Sequence, residues 1–155
     1  MKRVALVLVS AVVVLAAPLA LAGKEPNDEV ADNEASAVGS LRSLNTAQVY
    51  YARAYAEVGF ACALESFSPP PDGQKPSPNA ADLLDRGLTS GTKAGYRFTL
   101  TCPDKAKPQK KYQLSAVPVA PGQSGKRAFC TDETAVIKGS DDGKAETCFA
   151  SGKPL

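Results

Sequence analysis

From Asp32 to Val58 the chain contains neither a proline nor a cluster of turn residues, and Val38, Leu41, Leu44, Gln48, Tyr51, Tyr55 and Val58 recur at spacings of three and four. That period puts them on one side of a single long helix. Gly39 within it costs about 1 kcal/mol, and Gly59 is placed to stop it. Asn27 or Asp28 offers a cap, and Asp28, Glu29, Asp32 and Glu34 crowd the first turns, where negative charge suits the positive end of the helix dipole. An amphipathic helix of this length needs a surface to cover, and the rest of the chain has to provide it.

Upstream of the helix, Met1-Lys2-Arg3 precedes an apolar run from Val4 to Leu21, broken only by Ser10 and Pro18 and ending in Ala20-Leu21-Ala22. A positive start, an apolar middle and a small-x-small site have the order of a cleavable signal peptide over residues 1–22. The competing reading is an uncleaved membrane anchor, since the run approaches the ~18 residues of a spanning helix. Pro18 and the Ala-x-Ala site favour cleavage. Residues 23–31 then read as a polar leader and 32–155 as one globular domain. About 133 residues are enough for one core and too few for two.

Cleavage would leave as many basic as acidic side chains, because Lys2 and Arg3 account for the excess of 18 over 16. Nucleic-acid binding is not expected, since the lysines at 105, 107, 110 and 111 and the pair Lys126-Arg127 read as solvated loops.

Four cysteines follow, Cys62, Cys102, Cys130 and Cys148. In an exported chain they are expected to form two disulfides. The alternative, zinc, is disfavoured because no pair is spaced C-x-x-C and the chain has no histidine. Three connectivities are open. Cys62 with Cys102 and Cys130 with Cys148 is the favoured one, and it would contribute on the order of 3–4 kcal/mol per bridge in the chain-entropy model.

Glu65 to Asn79 carries five prolines and reads as an exposed loop. Asn79 is a candidate cap for a short helix through Arg86, stopped by Gly87. Beyond Gly95 the period drops to two. Tyr96, Phe98 and Leu100 alternate with Arg97, Thr99 and Thr101, and Tyr112, Leu114 and Ala116 with Gln113, Ser115 and Val117. Ala128 to Thr131 begins a third strand, which Ala135-Val136-Ile137 continues or follows with a fourth. The expected fold is α+β: a long N-terminal amphipathic helix packed on a three- to four-stranded antiparallel β-meander.

Catalytic chemistry is hard to assemble from these residues. The chain has no histidine, no unpaired cysteine if both disulfides form, and no nucleophile-elbow, zinc or phosphate-loop motif. Asp132-Glu133 and Asp141-Asp142 sit among Thr, Ser and Gly and read as turn carboxylates. Calcium would need more oxygen ligands than Asp141, Asp142 and Glu146 offer. No enzyme activity, cofactor or metal is expected. Tyr51 and Tyr55 lie on the apolar stripe and are expected in the core. Tyr50 lies off it, beside Ala47 and Ala54, and is the candidate partner contact.

The segment Asn33 to Gln48 resembles the stretch after the membrane helix in pilin-like proteins of soil bacteria such as the acidobacteria. The likeness continues through Leu88 to Tyr96 and Gly125 to Glu133. With a long helix, a variable loop, a meander and a disulfide-closed C-terminal loop, most of residues 33 to 138 resembles the headgroup of a type IV pilin or type II secretion pseudopilin. The prepilin cleavage motif and the glutamate of the hydrophobic N-terminal helix are missing, so the resemblance covers the headgroup alone.

That resemblance implies an exported, noncatalytic structural or interaction protein of the periplasm or cell surface. Its expected partner is a protein, either a pilus or secretion-system component or itself, and membrane contact is expected only with an uncut leader. The alternative is a freestanding binding module that uses the loops Phe67 to Asn79 and Pro103 to Lys111 as its recognition surface.

Overall fold

The computed structural model describes residues 26–155. The signal peptide and the first part of the leader lie outside the described residues. The long helix, α1, spans Pro26–Ala54. It begins six residues earlier than the stripe indicates, taking in part of the expected leader, because a proline at a helix start has no N–H to leave unpaired. Asp28 and Glu29 stand in its first turn and Arg53 in its last, as the dipole favours.

The helix also ends earlier, at Ala54 rather than Val58. Tyr55 to Val58 form a turn, with Gly59 N–H donating to the Tyr55 carbonyl at 3.0 Å. Gly59 adopts φ +81°, and a side chain there would collide with the Gln109 backbone. That close approach lets Gln109 N–H donate to the Val58 carbonyl at 2.7 Å and Phe60 N–H to the Gln109 carbonyl at 2.9 Å, which ties the helix exit to the sheet side of the molecule.

A 3-10 turn, Leu64–Phe67, comes next. The expected exposed loop therefore starts later, because Phe67 is completely buried and its ring meets Tyr51 edge-on at 5.8 Å. The expected helix from Ala80 to Arg86 does not form. Ala81, Asp82, Leu83 and Leu84 give their N–H groups to the carbonyls of Ser66, Ser68 and Phe67 instead, and these bonds close the neck of the proline-rich loop. A one-turn helix, α2, occupies Arg86–Thr89, with the Asp85 carboxylate accepting from Leu88 N–H at 3.1 Å. Asp85, not Asn79, is the cap, and Gly87 lies inside the turn rather than ending it.

Six strands follow in chain order: β1 Thr92–Lys93, β2 Tyr96–Thr101, β3 Gln113–Pro118, β4 Ala128–Asp132, β5 Lys138–Ser140 and β6 Lys153–Pro154. Each pairs antiparallel with the next, a meander of six strands where three or four were expected. The added strands are two or three residues long. The expected strand at Ala135-Val136-Ile137 does not form: a turn at Glu133-Thr134 leads into Ala135 at φ +59°, and pairing resumes only at Lys138. A third helix, α3, spans Ala145–Ser151 between β5 and β6.

Alternation along β4 shows how the layers stack. Phe129 points into the core beneath α1, while the next residue, Cys130, points to the opposite face and bonds to Cys148 of α3. In β2, Tyr96, Phe98 and Leu100 are buried and the residues between them exposed, as the two-residue period indicates. Leu41, Leu44 and Tyr51 of α1 close over Phe67, Tyr96, Leu114 and Phe129. The chain is thus an α+β fold, one long helix on an antiparallel sheet, held by two disulfides.

Candidate functional site

Of the polar side chains buried on α1, Glu34, Asn45 and Gln48 find partners beyond the helix. Glu34 accepts from Lys126 N–H at 3.0 Å, Arg127 N–H at 3.1 Å and the Arg127 guanidinium at 2.8 Å. Burial works against its charged form, but these three donors outweigh it and hold the carboxyl below the ordinary carboxylate range. Asn45 donates to Thr131 Oγ1 at 3.2 Å and accepts from the Tyr112 hydroxyl at 3.0 Å. Gln48, fully buried, donates to the Ala61 carbonyl at 2.9 Å and accepts from Ala61 N–H at 2.8 Å. Among the described residues no buried side-chain polar atom lacks a partner. These groups fix the helix against the rest of the fold.

The other displaced titrations also have structural causes. Burial, with the charges of Asp132 and Glu133, pushes the Tyr112 hydroxyl up to about 12. Burial likewise raises Tyr96, aided by the charge of Glu34, and its hydroxyl donates to the Arg127 carbonyl at 2.8 Å. Asp142 is lowered, first by the Thr147 hydroxyl at 2.7 Å and then by Lys144 N–H, and these bonds hold it in the turn ahead of α3. Asp132 accepts from the Thr134 N–H and hydroxyl in a similar turn. Among the described residues no group of three histidine, cysteine or acidic side chains is placed to hold a metal.

The disulfides pair Cys62 with Cys102 and Cys130 with Cys148, the favoured connectivity. They differ in surroundings: Cys148 and Cys130 are completely buried, whereas Cys62 is exposed. The exposed bridge lines a groove of about 770 Å³. Its apolar floor includes Phe60 and Val58, and its walls bring together Pro78-Asn79 of the proline-rich loop and Asp104 to Lys107 of the basic loop. Two loops 25 residues apart in sequence thus meet over one hollow, a juxtaposition that no linear motif announces.

Tyr50 is on the outer side of α1, 57% exposed, next to the exposed Val49. It borders a shallower groove of about 350 Å³ between α1 and Leu83-Leu84. Tyr51 is buried and Tyr55 half-buried, with their rings 4.9 Å apart. The lysines at 105, 107, 110 and 111 are exposed. Val58, expected on the buried stripe, is exposed because the helix has ended before it.

Among the described residues no helix is long and apolar enough to cross a membrane. Compared with known proteins, the chain matches no family model, no curated protein and no solved structure.

Proposed function

We propose that this is an exported, noncatalytic structural or interaction protein with a pilin-like headgroup, acting in the periplasm or at the cell surface beside a pilus or type II secretion system. The observation that carries the reading is the layering: one long helix across an antiparallel meander, with the C-terminal segment tied back by Cys130–Cys148. Two disulfides that leave no free cysteine fit an oxidising compartment. The displaced carboxyl and tyrosine titrations move away from neutrality, the opposite of what a general acid or base requires.

The non-reduced intact mass of the native protein, measured in periplasmic, membrane and sheared-filament fractions, tests this reading. A species beginning near Gly23 and lighter than the thiol form by four hydrogens supports an exported headgroup. The same chain uncut in the membrane or filament fraction supports a subunit anchored by its leader. A chain retained with free thiols inside the cell overturns the reading.

The groove between the two loops favours a second reading, a freestanding binding module with its ligand held over Phe60 and the Cys62–Cys102 bridge. Replacing residues 78–79 and 104–107, which wall the groove, with Gly and Ser separates the two. Loss of function with filament association intact supports the module, and loss of association with the loops intact supports the headgroup.

A further inference from the structure

The two disulfides differ in what can reach them. Cys130 and Cys148 are completely buried between β4 and α3, so a reductant meets neither sulfur until that packing opens. Cys62 is exposed and Cys102 half-buried, and both lie in the groove floored by Val58 and Phe60. Glu57, Asp104, Lys105 and Lys107 line the same groove, two charges of each sign. Access, not local charge, therefore sets this bridge apart.

The chain on either side of the exposed bridge is fastened without it. Beside Cys62, Ala61 N–H donates to the Gln48 side chain at 2.8 Å and the Ala61 carbonyl accepts from it at 2.9 Å. Phe60 N–H donates to the Gln109 carbonyl at 2.9 Å, and the Phe60 ring meets Tyr112 edge-on at 5.0 Å. Beside Cys102, Thr101 pairs with Gln113 at the end of β2. The basic loop that follows is pinned by the Gln109 amide, which donates to the Asp104 carboxylate at 3.0 Å and to the Lys111 carbonyl at 2.8 Å. Opening the bridge leaves all of these bonds in place. Cys102 Sγ also lies 3.8 Å from the Ala61 carbonyl oxygen, which gives its thiol an acceptor once the S–S bond is broken.

We propose that Cys62–Cys102 is a thiol–disulfide exchange site of the folded protein, taking as co-reactant the Cys-x-x-Cys dithiol of a thiol oxidoreductase, while Cys130–Cys148 is purely structural. The oxidoreductase thiolate attacks Cys62 Sγ, the sulfur that faces solvent. The bond to Cys102 breaks, and Cys102 leaves as a thiolate that takes a proton from water. The second oxidoreductase thiol, giving up its proton, attacks its partner sulfur in the mixed disulfide, and Cys62 leaves and is protonated in turn. Two electrons and two protons pass to this chain, and the dithiol ends as a disulfide. The exchange needs only the folded, oxidised domain, and so is independent of both functional readings above.

Graded dithiothreitol at neutral pH, followed by alkylation and peptide mass mapping of the full chain carrying both bridges, tests it. Cys62 and Cys102 should be labelled at least about tenfold faster than Cys130 and Cys148, with the near-UV circular dichroism unchanged. Low urea should speed labelling of the buried pair, which requires unfolding, and leave the rate of the exposed pair as it was. Thioredoxin whose second active-site cysteine is replaced by serine should be trapped as a mixed disulfide on Cys62. A double variant, Cys62→Ser with Cys102→Ser, should keep the native near-UV spectrum. The proposal is overturned if both bridges open together, if the native spectrum is lost with the exposed bridge or in the double variant, or if trapping fails or falls on Cys102.

Discussion

Replacing Glu34 with Gln removes a charge that is 90% covered and bonded three times over. The amide keeps one acceptor oxygen and puts an NH₂ where Lys126 N–H, Arg127 N–H or the guanidinium now donates. At least one charge-assisted bond is lost and a donor is left facing a donor. Bonds of that kind contribute about 1.5–3 kcal/mol each, so the variant is expected to be about 2–3 kcal/mol less stable at pH 7. For a chain of this size that lowers the thermal midpoint by on the order of 8–12 °C.

The pH dependence follows from the direction of the Glu34 shift. Its folded value lies below the unfolded value of 4.5, so the native state holds the proton less tightly than the unfolded chain. The stabilisation is complete above that unfolded value and is lost as pH falls through the folded one. Thermal or urea unfolding of wild type and E34Q at pH 7, 5, 4 and 3 should therefore give curves that converge at the acid end. Equal stability at pH 7 would refute the claim that the clamp holds α1 to the 126–127 segment. A gap that stays constant down to pH 3 would show that packing, not charge, accounts for it.

Gln48→Leu keeps the volume but strands the buried N–H and carbonyl of Ala61, a loss of about 2–5 kcal/mol in urea unfolding. An unchanged midpoint would count against that pairing. Tyr112 and Tyr96 should ionise late in an ultraviolet titration. Their folded values are raised above the usual 10, so their stabilisation is complete below pH 10 and is lost as pH rises through the folded values, about 12 for Tyr112. Full tyrosine ionisation at pH 10.5 with the fold intact would contradict this.

Much of the architecture was legible because periodicity is written along the chain. The apolar stripe of α1 and the alternation of Tyr96, Phe98 and Leu100 need no information from elsewhere. What was not legible depends on partners. Strands β1, β5 and β6 have two or three residues each, too few for a pattern, and exist because a neighbour pairs with them. Ala80 to Leu84 looks helical in isolation, yet the carbonyls of Ser66, Phe67 and Ser68 claim its N–H groups. The groove beside Cys62–Cys102 was hidden for the same reason, since only the folded chain brings Pro78 to Asp104. Tyr50 was readable as outward-facing because a helix sets angle by residue number.

The polar groups on the buried side of α1 explain why its outer face is well defined. An apolar stripe alone attracts without direction, so a helix resting on a sheet through leucines and alanines tolerates a slide of one turn, about 5.4 Å. Glu34, Asn45 and Gln48 remove that freedom, because each has partners at one place only: the 126–127 backbone, Thr131 with Tyr112, and Ala61. A one-turn slip would leave all three buried and unpaired at once, a penalty of several kcal/mol at about 1–3 kcal/mol per group. Glu34 lies in the first half of the helix and Asn45 and Gln48 in the second, so together they fix its rotation as well as its position.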